Sequence, residues 1–167
     1  MTKNVSSQKL NWTLDPGDEV LRVRLHDEYG GTRQGGISSS NTTPTVLLFT
    51  VPGHKVAETS LNWSHTNHGY VDRWEGTERK VYLYCGMGQD GDQDPLWSGN
   101  RAILNHAREG RDLRLFTPNS GKVQYVGRFY VDETQPYRLD KASDRHGRMR
   151  TVIQFRLKPY GPIADWF

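Results

Sequence analysis

One cysteine, Cys85, is all that 167 residues supply. A disulfide framework needs pairs and a Cys-rich zinc site needs several thiolates, so neither can be built. Long apolar runs are missing as well. Hydrophobic residues make up 34% of the chain and the mean hydropathy is −0.79. No stretch approaches the roughly 20 apolar residues of a membrane-spanning helix. The first nine residues, Met1–Lys9, are polar, so no signal peptide is visible. These absences point to a soluble intracellular protein. Strong charge of one sign is missing too. The net charge of +3 and a pI near 9.0 allow a phosphate-binding face but do not require one.

Catalytic signatures are equally scarce. Gly86-Met87-Gly88-Gln89-Asp90-Gly91 spells G-x-G-x-x-G directly after an apolar run. A dinucleotide site needs a helix to begin at the last glycine, with its N-terminus facing a pyrophosphate. Asp92, Asp94 and Pro95 follow instead, placing negative charge where the phosphate would sit and breaking the helix. No Walker lysine follows either. His65 and His68 have an H-x-x-H spacing, but only Cys85 and scattered acids are available beside them, and surface or packing roles suit them better. The paired zinc-deaminase motifs, a G-x-S-x-G elbow and a carboxylate–histidine nuclease cluster are all absent. The expectation is no enzyme, no metal and no cofactor.

Glycine and proline are plentiful, at 17 and 8, and the apolar runs are short. Both features favour a β-rich chain of one domain. In Asp15-Pro16-Gly17-Asp18, Asp15 suits a helix N-cap and Pro16 a first helical position. Residues 19–29 fit a helix face through Val20, Leu21, Arg24 and Leu25, or a strand through Leu21, Val23 and Leu25; the cap favours helix. Gly30-Gly31 ends that element. Residues 32–40 read as a polar loop, able to follow a phosphate backbone or to be ordinary surface. Thr45–Thr50 reads as a central strand. Residues 99–109 give a 3.6-period stripe through Ala102, Ile103, His106 and Ala107, stopped by Gly110. Strands are expected at 113–116, at 122–132 with Gly127 a bulge or close-approach point, and at 150–158. Residues 133–147 read as a long charged loop. The boundaries expected are a flexible arm at 1–10, an ordered domain at 11–159 and a tail or linker at 160–167.

The stretch richest in chemistry is His68–Gln93. Tyr70, Asp72 and Trp74 alternate and share a face if extended. Val81–Tyr84 reads as a buried strand entering the glycine turn, and the two segments form a hairpin. Aromatic faces around one acceptor suit a flat, polar, partly apolar ring such as a nucleobase. The ordinary alternative is the core face of a strand, with Asp72 paired to Arg73 or Arg79. A buried, unpaired carboxylate costs several kcal/mol, which favours a pocket. The basic residues are scattered: Arg22, Arg24 and Arg33 early, Arg101, Arg108 and Arg111 around the second helix, and Lys141, Arg145, Arg148 and Arg150 late. The late group reads as a groove-reaching loop or a solvated face.

The order of motifs carries a resemblance. Tyr29-Gly30-Gly31, Gln34-Gly35-Gly36-Ile37, Gly69-Tyr70 with a following acid, Tyr84-Cys85-Gly86-Met87-Gly88-Gln89, Gly91-Asp92-Gln93, Gly99-Asn100-Arg101-Ala102 and Tyr125-Val126-Gly127 follow one another as in the SRA (SET and RING associated) domain. The chain resembles most the bacterial branch found with HNH nucleases in modification-dependent restriction. The resemblance spans residues 12–158. It implies a β-rich α+β fold, a PUA-like twisted, partly closed β-barrel with one or two flanking helices. It implies binding of duplex DNA carrying modified cytosine, 5-methylcytosine first, with the base flipped into a pocket. By position, Tyr70 and Tyr84 would be aromatic walls and Asp72 the acceptor for the cytosine N4 amino group. An acceptor there also rejects thymine, which presents O4. Trp74 would extend a wall or line the methyl side, and backbone at Gly86 and Gly88 would approach the base edge. DNA contacts would come from Arg33, Gln34, Gly35, Gly36, Ser38 and Ser39 in one loop, and from Gln89, Gln93, Asn100 and Arg101 in the other.

The chain departs from the family pattern in three places. Val71 and Arg73 interrupt the acidic run that eukaryotic members carry after the pocket tyrosine. The loop that probes the partner strand is shortened to Asp90–Ser98. An HNH motif is absent, so the chain would be a non-catalytic reader, linked to or acting with a nuclease, in the bacterial cytoplasm at the nucleoid. The competing reading is a PUA-like module for modified RNA or a small aromatic ligand.

Overall fold

A computed structural model of the chain describes residues 11–53 and 71–167. The arm at 1–10, together with His65, His68 and Tyr70, lies outside the described residues. The described residues hold nine strands and two helices, the β-rich architecture with flanking helices that the sequence predicts. None of the described helices is long and apolar enough to cross a membrane.

The chain sorts into two compact units, passing from one to the other at Phe49/Thr50, Leu104/Asn105, Tyr130/Val131 and Lys158/Pro159. In the first unit β1 (Glu19–Leu21) leads directly into α1 (Arg22–Tyr29). β2 (Ile37–Ser39) is antiparallel to β3 (Thr45–Phe49), and β3 runs parallel to β6 (Asp112–Asn119), which is antiparallel to β7 (Lys122–Val131). Every residue of β3 is buried. A strand covered on both faces needs a continuous apolar run rather than alternation, and Val46-Leu47-Leu48-Phe49 supplies one. The core gathers Leu25, Tyr29, Leu47, Phe49, Phe116 and Tyr125, with Trp12 packed against it. The Phe49 and Phe116 rings stack at 5.6 Å, and Trp12 lies 4.2 Å from Tyr29. Fully burying each such ring is worth about 2–3 kcal/mol.

In the second unit β4 (Arg73–Trp74) and β5 (Tyr82–Cys85) form the expected aromatic hairpin, with Trp74 opposite Tyr82. β5 pairs with β9 (Met149–Ile163), and β9 with β8 (Tyr137–Ser143). α2 (Ser98–Leu104) follows the loop after the glycine turn. Arg156 on β9 ties the hairpin down: its guanidinium reaches Glu75 at 3.1 Å and Asp132 at 2.5 Å.

Several expectations are corrected. The Asp15–Asp18 segment is a turn and not a helix cap. Asp18 donates its amide to the Asp15 carbonyl, and its carboxylate accepts the Asp15 N–H. Gly17 adopts a left-handed φ of +97°. The chain therefore leaves extended as β1, and α1 begins at Arg22 with no side-chain cap. Part of the 32–40 loop is β2. The second helix stops at Leu104, and residues 105–111 continue as hydrogen-bonded turns in which buried His106 accepts the Arg111 N–H at its carbonyl and meets the Arg111 carbonyl through Nδ1 at 2.8 Å. The charged loop at 133–147 contains β8. Its Arg138, Asp140 and Lys141 hide an alternation that β9 recognises through backbone pairing. The segment expected to be a tail is built in: β9 runs to Ile163, the Ala164 amide bonds the Val126 carbonyl at 2.8 Å, and Phe167 is buried.

Gly127 is both bulge and close approach. The β6–β7 register slips between Leu115, opposite Gly127, and Phe116, opposite Tyr125. A Cβ on Gly127 would lie 2.9 Å from Ile163 Cγ2 and 3.0 Å from the Pro162 carbonyl, at a φ of +154°. Gly127→Ala is therefore expected to lower the unfolding free energy by about 2–4 kcal/mol through strain and overpacking. Urea denaturation measures this; a change below about 0.5 kcal/mol would mean that the chain end does not pack there.

Candidate functional site

Asp72 is 5% exposed, and three segments of the second unit meet at it. Its backbone pairs with Pro52 in a single parallel bridge, and its carbonyl accepts the Gly53 amide at 2.8 Å. Its carboxylate oxygens are divided. Oδ1 accepts the Cys85 N–H at 2.7 Å, and Oδ2 accepts the Thr50 hydroxyl at 2.7 Å. Thr50 has one proton and gives it to the carboxylate, so the Tyr82 hydroxyl, 2.6 Å away, donates to Thr50 in turn. Burial, reinforced by the Asp72 charge, holds the Tyr82 hydroxyl far above its ordinary range and keeps it a donor.

No cation balances Asp72 among the described residues. Its partners are a hydroxyl and an amide, where Arg73 or Arg79 was the structural expectation. Arg79 instead lies 5.5 Å over the Trp74 ring. Burial pushes the Asp72 carboxyl from 3.8 up to about 6, although the Thr50 and Cys85 hydrogen bonds pull the other way. Held ionised near neutrality, Asp72 therefore costs the fold about 3 kcal/mol. Among the described residues each oxygen has one partner and acceptor capacity beyond it. A costly, incompletely used acceptor marks a functional candidate.

Aromatic rings line the same face. Trp74 is half-buried and meets Tyr82 edge-on at 5.3 Å. Tyr84 is buried, two residues beyond Tyr82 and opposite Phe155. Tyr82 and Thr50 escaped the sequence reading. Tyr82 had a signal, its period-two spacing from Tyr84. Thr50 had none, since nothing local links it to an aspartate 22 residues on. Burial holds the Cys85 thiol well above its ordinary range, and the Asp72 charge adds to this, so the thiol is a poor nucleophile at neutral pH.

The Gly86–Gly88 turn is fastened from behind. Gln93 is 8% exposed and donates its amide to the Gly86 and Gly88 carbonyls while accepting the Ile153 N–H. Asn100, 0% exposed, accepts the Met87 N–H at 2.7 Å and donates to the carbonyls of Met87 and Asp94. Buried Arg150 reaches the Gly88 carbonyl at 2.5 Å. A Cβ on Gly86 would lie 2.9 Å from Gln93 Oε1. Gln93 and Asn100, expected at the DNA, are thus turned inward as scaffold, and Arg150 is no part of a groove-reaching loop. Gln89 and Arg101 remain exposed. No helix starts at Gly91, which separates this turn from a dinucleotide motif.

In the first unit the tip Arg33-Gln34-Gly35-Gly36 is exposed, as is Ser39. Ser38 faces inward: its hydroxyl accepts the Thr32 N–H at 2.7 Å and donates to the Thr32 carbonyl. Among the described residues no cluster of three or more His, Cys, Asp or Glu could hold a metal ion.

Comparison with known proteins places this geometry in context. The family model described as ScoMcrA-like, SRA domain matches residues 16–166. The solved sulfur-binding and SRA domains of ScoMcrA, complexed with phosphorothioated DNA, are 21% identical with a TM-score of 0.58, over 88% of this chain and 40% of that one. The Type IV phosphorothioation-dependent restriction endonuclease ScoMcrA gives 20% and 0.59, over 88% of this chain and 28% of its own. The chain thus spans less than half the length of either. The SUVH5 SRA domain with methylated CHH DNA gives 22% and 0.56, over 92% and 94%. Such identities establish the fold alone. No curated protein matches the chain.

The Asp72 burial has a testable sign. Its folded-state carboxyl sits above the unfolded value, so the penalty is absent below pH 3.8 and complete above about pH 6. Asp72→Asn keeps the shape and removes the charge. The variant is expected to match the wild type near pH 4 and to exceed it by about 3 kcal/mol near pH 7.5 in denaturant unfolding. A difference that does not grow with pH would place the carboxylate in water.

Proposed function

The chain belongs to the ScoMcrA-like SRA domain family, and from that premise we propose that it reads modified cytosine in duplex DNA by taking the base into a pocket at Asp72. The observation that carries this reading is the Asp72 carboxylate itself, buried among aromatic rings with no cation beside it among the described residues and with acceptor capacity to spare. The exocyclic N4 amino group of cytosine is a donor that fits such an acceptor, while thymine would set O4 against it. Unstacking a base costs a few kcal/mol, which stacking and edge hydrogen bonds offset. Trp74, Tyr84 and Tyr70 are assigned to the walls. The backbone of the Gly86–Gly88 turn is assigned to the base edge, since Gln93, Asn100 and Arg150 fasten it.

The exposed Arg33–Gly36 tip, Ser39, Gln89 and Arg101 are assigned to the DNA outside the pocket, where contacts position without specifying. The module carries no cleavage chemistry of its own in this reading; cutting belongs to a nuclease, of HNH type, in the same restriction system. Solved relatives support modified DNA as the ligand: ScoMcrA is seen with phosphorothioated DNA and the SUVH5 SRA domain with methylated DNA. Between these two chemistries, a carboxylate at the heart of the site favours a base amino group, because an anionic phosphorothioate would be repelled by it.

The test is binding of short duplexes carrying one 5-methylcytosine, one hydroxymethylcytosine, one phosphorothioate or no modification, with 2-aminopurine beside the modified site. Asp72→Asn, folded and more stable, is expected to reduce the preference for modified cytosine at least about tenfold. Binding to unmodified DNA should be unchanged or slightly tighter. Equal losses on both duplexes would remove Asp72 from the recognition site, and a phosphorothioate preference would replace cytosine reading altogether.

A further inference from the structure

The exposed tip at residues 33–36 is held by a side chain that the reading above does not use. Arg22, the first residue of α1, lays its guanidinium 3.9 Å over the Phe49 ring and donates Nη2–H to the Gly35 carbonyl at 2.9 Å. Its Nε–H goes to Nε2 of His26 at 3.2 Å, one helical turn on. A guanidinium has donors and no acceptor, so this bond requires a bare nitrogen on the imidazole. The tautomer is set from the other side. His26 Nδ1 lies 2.8 Å from the Gly30 carbonyl, where only an N–H can bond, which leaves Nε2 as the acceptor. The base of the loop is fastened separately by Ser38 to Thr32, and the last tip residue, Gly36, accepts the Phe49 amide at its carbonyl at 2.8 Å. Within the tip, Thr32 Oγ1 donates to the Gln34 carbonyl at 3.0 Å and exposed Arg33 meets Asp27 of α1 at 3.3 Å, while Arg22 serves the Gly35 carbonyl.

We infer that Arg22 is a positioning residue of the Arg33–Gly36 DNA-contacting loop, acting at Gly35, and that it holds Gly35 only while His26 is neutral. This rests on the proposed function, in which that loop meets DNA. Protonation would set an N–H against the Arg22 Nε–H and bring two cations to 3.2 Å. The guanidinium would swing away and the Gly35 carbonyl would lose its donor. Burial lowers the His26 pKa first of all; Arg22 on the same helix and Arg33 on the loop lower it too, while the Gly30 carbonyl and Asp27 pull it back up. The imidazole is accordingly neutral at physiological pH, and the latch opens only on acidification below its ordinary 6.5. A pre-ordered loop binds more tightly because less freedom is lost on contact.

Two measurements on the whole chain test this. Hydrogen exchange, corrected for the intrinsic effect of pH, is followed in peptides covering residues 30–40 and 45–49. Arg22→Lys keeps the charge but cannot serve His26 and Gly35 together. It is expected to speed exchange in the loop, spare the strand, and weaken binding to the modified duplex roughly 3- to 10-fold at neutral pH. Wild-type loop protection should be intact at neutral pH and fall only as the pH drops below 6.5. His26→Gln, whose amide oxygen accepts without titrating, should stay protected. Unchanged loop exchange in Arg22→Lys, or parallel acid losses in wild type and His26→Gln, would overturn the latch. Loosened exchange with unaltered affinity, while Asp72→Asn still abolishes selectivity, would also overturn it and leave the function intact. Loss of neither selectivity nor affinity in both variants would overturn the function on which it rests.

Discussion

A carboxylate withdrawn from water without a counter-ion among the described residues is the constraint around which the second unit is arranged. Asp72 draws the Thr50 hydroxyl from the end of β3, the Cys85 amide from the end of β5 and, through Thr50, the Tyr82 hydroxyl. Each of these neutral donors is worth about 1–3 kcal/mol to a charged acceptor. Together they do not restore the carboxyl to its ordinary titration range. A structural staple of the same shape could be made from an amide at lower cost. Retaining the anion makes sense where something else has to be bound through it, and the aromatic neighbours say what kind of group would fit.

Rigidity near that carboxylate comes from side chains acting as backbone. In the glycine turn after β5 the Gly86 amide pairs with the Ile153 carbonyl of β9, and side chains serve the carbonyls of Gly86, Met87 and Gly88 and the amide of Met87. Gln93, Asn100 and Arg150 take that role, each buried and each bonded to main chain. The glycines are free of Cβ where Gln93 crowds them. On the first unit Arg22 does the same for the Gly35 carbonyl. Both loops thus have exposed tips on fastened bases, the arrangement that lowers the entropy lost on binding.

Much of the fold was legible where hydrophobic pattern decides it. Thr45–Phe49 was readable as a central strand because five consecutive buried positions need an unbroken apolar run. Val81–Tyr84 was readable as a buried strand for the same reason, and Gly127 because a glycine inside an alternating strand marks a bulge. β8 was not legible. An edge strand needs backbone partners more than apolar side chains, and Arg138, Asp140 and Lys141 look like a solvated loop until β9 lies beside them. Asp15 and Pro16 spelled a helix start, yet Asp18 folding back on Asp15 won locally.

The candidate site divides in the same way. The sequence by itself determined the hairpin, its aromatic spacing, the lone acidic residue among the rings and the order of motifs that places the chain among SRA domains. Those features are local, carried by residues within a few positions of one another. Tertiary structure alone decided that Asp72 answers to Thr50 and Cys85 and not to an arginine. It alone decided that Gln93, Asn100 and Ser38 face inward and that Arg22 reaches Gly35 through a tautomer set at Gly30. Hydrogen-bond partners are chosen by distance in space, and where these segments come together is set by strand register and burial, which no spacing along the chain encodes.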